Sequence, residues 1–161
     1  MLMVVGDGPV RPALEQQARQ LGIEHKLLFT GVVPRSQVPT EAMAFDIALQ
    51  TALVPYASPL CLFEYMAMGK AILAPDQPNH HEVLVVGVDC EMYAPAEPDS
   101  IEKRLDLLMA DSQRRAMLGV QAKLALQERG YYWAGNAKRV LAAAAELTQT
   151  GELARQETVA H

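Results

Sequence analysis

Glu64 is the one carboxylate in an otherwise apolar run, Ser58-Pro-Leu-Cys-Leu-Phe-Glu-Tyr-Met-Ala-Met-Gly-Lys70, and that placement is chemically costly. Ser58 followed by Pro59 opens a helix. The serine hydroxyl can cap free amides, and proline at the first helical position gives up an N–H that has no intrahelical partner. Gly69 stops the helix and Ala71 starts a strand. Between these limits almost every side chain is apolar, so the helix is expected to be largely buried, with Glu64 inside. A buried carboxylate needs hydrogen-bond donors. The open amides of Leu60 and Cys61 favour anions at the same end. Together they suit a ligand carrying both hydroxyls and phosphates.

Other candidate groups are weaker. Gly6-Asp-Gly8 lacks the third glycine of a dinucleotide fingerprint, with Arg11 in its place, so a plain turn and a phosphate contact both stay open. His80-His81-Glu82 carries metal-type donors, but adjacent histidines project to different sides and no third ligand is evident. No metal site is expected. Cys61 and Cys90 provide neither a disulfide framework nor a metal spacing. A helix N-terminus would lower the Cys61 thiol pKa, yet no partner base for a nucleophile is identifiable.

The elements that position these residues alternate. Strands are expected at Leu2–Val5, Lys26–Thr30, Asp46–Gln50, Ala71–Ala74 and Met92–Ala94. Helices are expected at about Pro12–Leu21, Ser36–Ala44, Pro59–Met68, Asp99–Ala110, Ser112–Glu128 and Trp133–Leu147, with a helical turn over His80–Val85 and a break near Gly119. This alternation predicts an α/β fold, a doubly wound parallel sheet. Ligands of such folds bind outside the carboxyl ends of the strands. Those ends are Gly6–Pro9, Thr30–Val33, Thr51–Pro59 and Pro75–Asn79, where the Gly, Pro and polar residues gather.

The 161 residues suit one ordinary domain, read here as residues 1–150 with a polar, frayed tail over 151–161. A net charge of −5 with no basic cluster excludes a nucleic-acid binder. No apolar run reaches the length of a membrane span and no signal peptide precedes the first strand, so a cytoplasmic setting is expected. Leu2–Val5 is an apolar strand with no polar lead-in. Such strands are usually central in parallel sheets, so chain preceding Met1, including a first strand, is expected to be missing.

Val4-Val-Gly-Asp-Gly-Pro9, Phe29-Thr-Gly-Val-Val-Pro34, Asp46-Ile-Ala48, the Ser58–Lys70 block and Tyr132-Trp-Ala-Gly-Asn136 follow one another in a telling order. In that order they resemble the C-terminal, donor-binding domain of retaining GT-B glycosyltransferases of family 4, the glycosyl transferases group 1. The likeness covers about Leu2 to Leu147. It implies a Rossmann-like half that binds a nucleotide sugar, a UDP- or GDP-sugar, with no other cofactor and no metal. By resemblance, Glu64 accepts hydrogen bonds from the ribose hydroxyls. Ser58, Pro59, Leu60, Cys61 and Leu62 surround the sugar and diphosphate. Thr30, Gly31 and Val33 lie beside the base, and Gly6 belongs to the strand-end loop. The implied partner is an N-terminal acceptor domain or subunit, and any peripheral membrane contact is expected through that half.

Departures from the family are informative. The family's earlier glutamate, with seven residues between it and the second, falls at Tyr56. Many relatives carry lysine at Cys61, where it would steady the leaving diphosphate. The family's basic pair would lie before Met1. The chain is therefore expected to bind a donor and to be inactive in transfer without its other half. Two rivals share these residues: a non-catalytic binding or interaction module with a degenerate site, and a nucleotide-dependent epimerase of GT-B shape.

Overall fold

A computed structural model describes residues 1–54, 56 and 58–159, with side chains described as far as 148. The elements follow the alternation of apolar runs and turns: β1 (Leu2–Val5), α1 (Arg11–Gln20), β2 (Leu27–Gly31), α2 (Val38–Met43), β3 (Ile47–Leu49), α3 (Leu60–Ala67), β4 (Ala71–Pro75), α4 (Pro78–His81), β5 (Glu91–Tyr93), α5 (Ser100–Ala110), α6 (Ser112–Glu128) and α7 (Trp133–Val159). The fold is mixed α/β and every strand pair is parallel. The strands divide into a two-stranded sheet, β1-β2, and a three-stranded sheet in the order β3-β4-β5. The chain separates into two units, Met1–Lys123 and Leu124–His161, and both sheets lie in the first.

β4 organises the larger sheet. All five of its residues are buried, as expected of an all-apolar strand flanked on both sides. Ala71 and Leu73 join Tyr93, Leu108 and Leu118 in the core, which sets β4 and β5 against α5 and α6. Ile72 and Ala74 alternate to the opposite face and are equally buried. Each large side chain buried this way contributes about 1.5–3 kcal/mol.

β5 brings a charge into that core. Glu91 is 1% exposed, and its carboxylate accepts bonds from Arg104 at 3.3 Å and from Arg114 Nε at 2.9 Å, with a second, short contact from Arg114 Nη2. A buried acid is tolerable only with such donors. Glu91 is therefore buried as a carboxylate, whereas Glu64, expected inside, is exposed.

α3 differs from expectation in two respects. It begins at Leu60, and its N-cap is Pro59 (φ −79, ψ 85) rather than Ser58. Ser58 is then one residue too early, and no side chain caps the helix. Nor is the helix largely buried. Leu62 and Met66 face the protein, while Leu60, Glu64 and Ala67 fall on one exposed stripe. Apolar composition alone does not assign a face; the 100° step per residue puts positions 60, 64 and 67 together, away from β4. The C-terminus behaves as read. Gly69 (φ 65) and Lys70 donate to the carbonyls of Met66 and Tyr65, both at 3.0 Å, closing a Schellman motif.

Smaller differences are local. β2 starts after a 3-10 turn at Glu24–Lys26, and α2 starts at Val38, beside Pro39. α6 runs unbroken through Gly119, because that glycine serves close packing on Gly69 rather than helix termination. α7 continues through residues 151–159, where the sequence reading has a frayed tail, and the last two residues lie outside the described set.

Candidate functional site

The residues singled out from sequence gather into two groups, each at the carboxyl ends of strands. The first is built on glycines. Gly6, just past β1, has φ 134 and Gly31, at the end of β2, has φ 71, values that L side chains rarely adopt. The Gly6 amide donates to the Gly31 carbonyl at 3.0 Å, which holds the two loops together. The Thr30 hydroxyl donates to the Gly31 carbonyl at 3.0 Å, with the Val4 carbonyl 3.5 Å away. Val33 is partly exposed beside them.

Arg11 completes this group, and the sequence reading noted it only as a missing glycine. Its guanidinium donates to Glu15 at 2.8 Å and Asp7 at 3.2 Å, and lies 5.1 Å from the centre of the Phe29 ring. Glu15 first, then Asp7, raises its pKa above the ordinary value. Two carboxylates already balance this cation, so it offers little charge to a phosphate. A cavity of about 360 Å³ opens beside it, lined by Arg11, Glu15, Arg19, Glu24, Leu27 and Phe29. Its charges also balance, and neither Glu64 nor residues 58–62 line it. It is not the site the motif describes.

The second group is α3. Leu60 and Cys61 supply first-turn amides that have no intrahelical acceptor. Glu64 stands exposed one turn on, in the same stripe as Leu60, and no hydrogen bond to its side chain is formed among the described residues. Pro59 is buried and Leu62 N–H donates to its carbonyl at 3.0 Å, fixing the helix start. The Cys61 thiol donates to Gln50 Oε1 at 3.3 Å, which ties α3 to the end of β3. Burial pushes the Cys61 thiol up, against the pull of its own amide, and the charge of Glu64 adds to the rise. A thiol held protonated this way is no nucleophile at neutral pH. Behind it, burial first, then Cys61 and Glu64, push the Tyr65 phenol up to about 12.

The end of β4 adds polar groups that sequence reasoning did not select. Asn79 Nδ2 donates to the Val54 carbonyl at 3.1 Å, which joins α4 to the loop leading into α3. Gln77 Oε1 is buried with no hydrogen-bond partner among the described residues. Only its place at a strand end could have flagged it. The histidines diverge as expected: His80 is buried with Nδ1 2.7 Å from the Pro75 carbonyl, while His81 Nε2 lies 2.7 Å from Asp76 Oδ1. Among the described residues, no three His, Cys, Asp or Glu side chains converge on a metal-sized site. No helix among them is long and apolar enough to cross a membrane. Tyr56, where the resemblance has a glutamate, is 91% exposed.

Known proteins resemble this chain in sequence and fold. The family model for glycosyl transferases group 1 matches residues 1–125. An uncharacterized glycosyltransferase of Methanocaldococcus jannaschii is 26% identical over 141 residues, covering 87% of this chain and 35% of its own length. The Anabaena protein HepE, solved in complex with UDP-glucose, superposes with a TM-score of 0.69 at 25% identity, over 78% of this chain and 35% of that one. The C-terminal domain of LpcC, a glycosyl transferase group 1 family protein from Francisella tularensis, has a TM-score of 0.67 at 22% identity, over 74% of this chain and 61% of that one. The chain thus spans about a third of the length of the Methanocaldococcus and Anabaena relatives.

Proposed function

The chain belongs to the glycosyl transferases group 1 family, and on that premise we propose that it is the donor-binding portion of a retaining GT-B glycosyltransferase of family 4. The donor is a UDP- or GDP-sugar, and a hexosyl group passes from it to an acceptor hydroxyl. The observation that carries this reading is the placement of Glu64, an exposed carboxylate one turn from the open amides of Leu60 and Cys61. HepE, solved with UDP-glucose, supports the ligand class.

In this reading Glu64 accepts both ribose hydroxyls. These are charge-assisted bonds of about 1.5–3 kcal/mol each. Residues 58–62 hold the diphosphate and sugar, and Gly6, Thr30, Gly31 and Val33 border the base. Gln77 Oε1 is an acceptor waiting for a hydroxyl donor. The acceptor hydroxyl attacks the anomeric carbon from the leaving group's side. The bond to the diphosphate oxygen breaks as the new C–O bond forms, and the hydroxyl proton passes to that oxygen. The chain's part is positioning and charge stabilisation. The acceptor is bound by a second domain or subunit, so residues 1–161 bind the donor without completing transfer.

The Glu64 carboxylate faces solvent in residues 1–161. Its exposure leaves both carboxylate oxygens open to a ligand. Calorimetric titration of the chain with UDP, GDP and ADP tests the reading, with Glu64→Gln alongside. UDP or GDP should bind, and the variant should bind about 10–100-fold more weakly.

A second reading has its own support. Tyr56 replaces a carboxylate, and the Cys61 thiol is engaged by Gln50 rather than replaced by a free cation. Binding to none of the three nucleotides would favour a non-catalytic interaction module.

A further inference from the structure

Gln50 carries side-chain donors that the described residues leave unused. It follows β3 directly, and its backbone N–H donates to the Leu73 carbonyl at 2.9 Å, so the β3–β4 ladder runs on through it. Ile47 and Leu49 pack on the core cluster that holds Leu108 and Leu118. Side chains alternate along a strand, so Gln50 turns with the fully buried Ala48 to the opposite face. That face is the one α3 covers: the helix packs against β4, and Cys61 in its first turn reaches Gln50. An amide at the rim of a packed face needs partners for both of its ends. Gln50 is partly exposed, and its Oε1 has such a partner, the Cys61 thiol at 3.3 Å. Its Nε2 has no acceptor among the described residues, and it is not a buried atom, so its N–H groups are open to a ligand.

The thiol decides which way this amide faces. Glutamine presents an acceptor on one side and a pair of donors on the other. A protonated thiol donates, so it selects Oε1 and leaves Nε2 pointing away from it. Burial keeps the Cys61 thiol in that protonated form. Cys61 also stands at the helix end where the backbone amides of Leu60 and Cys61 have no intrahelical acceptor. Gln50 therefore adds side-chain N–H groups to a place that already holds open backbone N–H groups. Donors gathered without an acceptor suit a ligand rich in anionic oxygen, because each bond to it is charge-assisted.

We propose that Gln50 binds the diphosphate of the donor through Nε2, with its amide held in the donating orientation by the Cys61 side chain; this rests on the donor reading above. Gln50 is then the residue that touches the ligand, and the Cys61 side chain is a positioning residue that acts through it. The pair supplies hydrogen bonds without a net charge. Its share of the affinity therefore falls less steeply with salt than the share of a cation in the same place.

The test titrates the full chain with UDP and GDP, and with uridine and guanosine, which lack the diphosphate. Gln50→Leu removes the donors and keeps much of the side-chain volume. It should bind the nucleoside diphosphate about tenfold or more weakly and the matching nucleoside as before. Cys61→Ala should weaken the diphosphate in the same selective way, and Cys61→Ser, whose hydroxyl still donates, should restore most of the loss. Equal losses for nucleotide and nucleoside would mark Gln50 as structural and overturn the proposal, as would an unchanged affinity for the nucleotide. A second readout needs no substitution: in the parent chain, the side-chain amide resonance of Gln50, assigned through its backbone, should shift on addition of inorganic pyrophosphate. Should the parent bind neither UDP nor GDP, the donor reading fails, and pyrophosphate decides Gln50 separately. A resonance that does not move with pyrophosphate overturns this assignment whatever the nucleotides do.

Discussion

Gly119, in the middle of α6, sits directly on the carbonyl oxygen of Gly69, and a Cβ built on Gly119 would lie inside the van der Waals shell of that oxygen. The contact joins α6 to the turn that ends α3, with Gly69 itself held at φ 65. Two glycines far apart in sequence thus set how closely a helix approaches the Schellman turn behind the candidate site.

Gly119→Ala is expected to destabilise the chain, although alanine is the better helix former by about 1 kcal/mol. The clash is with backbone, which cannot turn aside as a flexible side chain would. A net loss of about 1–3 kcal/mol is expected, read as a lower urea midpoint. An unchanged or raised midpoint would refute the packing role.

Glu91→Gln removes the charge shared by Arg104 and Arg114. Breaking a buried pair costs about 3–5 kcal/mol. Both arginines keep partial access to water, with side chains 44% and 32% exposed, so the lower end of that range is expected. Equilibrium unfolding of the variant gives the value. A loss under about 0.5 kcal/mol, typical of a surface pair, would show that the interaction is not a core element.

Tyr65 makes stability fall in strong alkali. Its folded pKa is raised from 10.0 to about 12, so the folded state keeps the proton after the unfolded state has lost it. The contribution is complete below pH 10 and disappears between about pH 10 and 12. It is reduced to about 1 kcal/mol by solvent screening, because the ring is only partly buried. Tyr65→Phe should flatten that part of the stability profile relative to the parent. Parallel profiles would contradict the assignment.

Cys61→Lys introduces a cation at the start of α3, where the family resemblance has one. UDP affinity should rise by about tenfold or more, and the gain should shrink as salt is added. A salt-independent change in affinity would show that the new side chain acts through packing on Gln50 instead.

Much of the architecture was legible because it is written in local chemistry. Ala71–Ala74 reads as a strand from its composition, and the structure has β4 over Ala71–Pro75, buried throughout. Gly69 ends α3 because only a residue at ease with positive φ completes the Schellman turn. His80 and His81 were expected to project to different sides because neighbouring side chains on one turn diverge, and they do. Burial was less legible. Glu64 and Glu91 are both acids with apolar residues on either side, yet the first faces water and the second is enclosed by two arginines. Arg104 and Arg114 lie on helices that follow β5, and no local pattern announces that they will fold back on it.

What the sequence by itself determined is the order of elements and the parallel α/β class, since both follow from short-range periodicity, turn chemistry and composition, whereas the donor-binding residues are what the family resemblance implies. Only the tertiary structure decided which face of α3 meets β4, which carboxylate goes inside and that the Gly6 and Gly31 loops touch. The physical reason is that burial and long-range contact depend on what a side chain meets across space, and a helix of apolar residues has the same composition whichever stripe it turns inward.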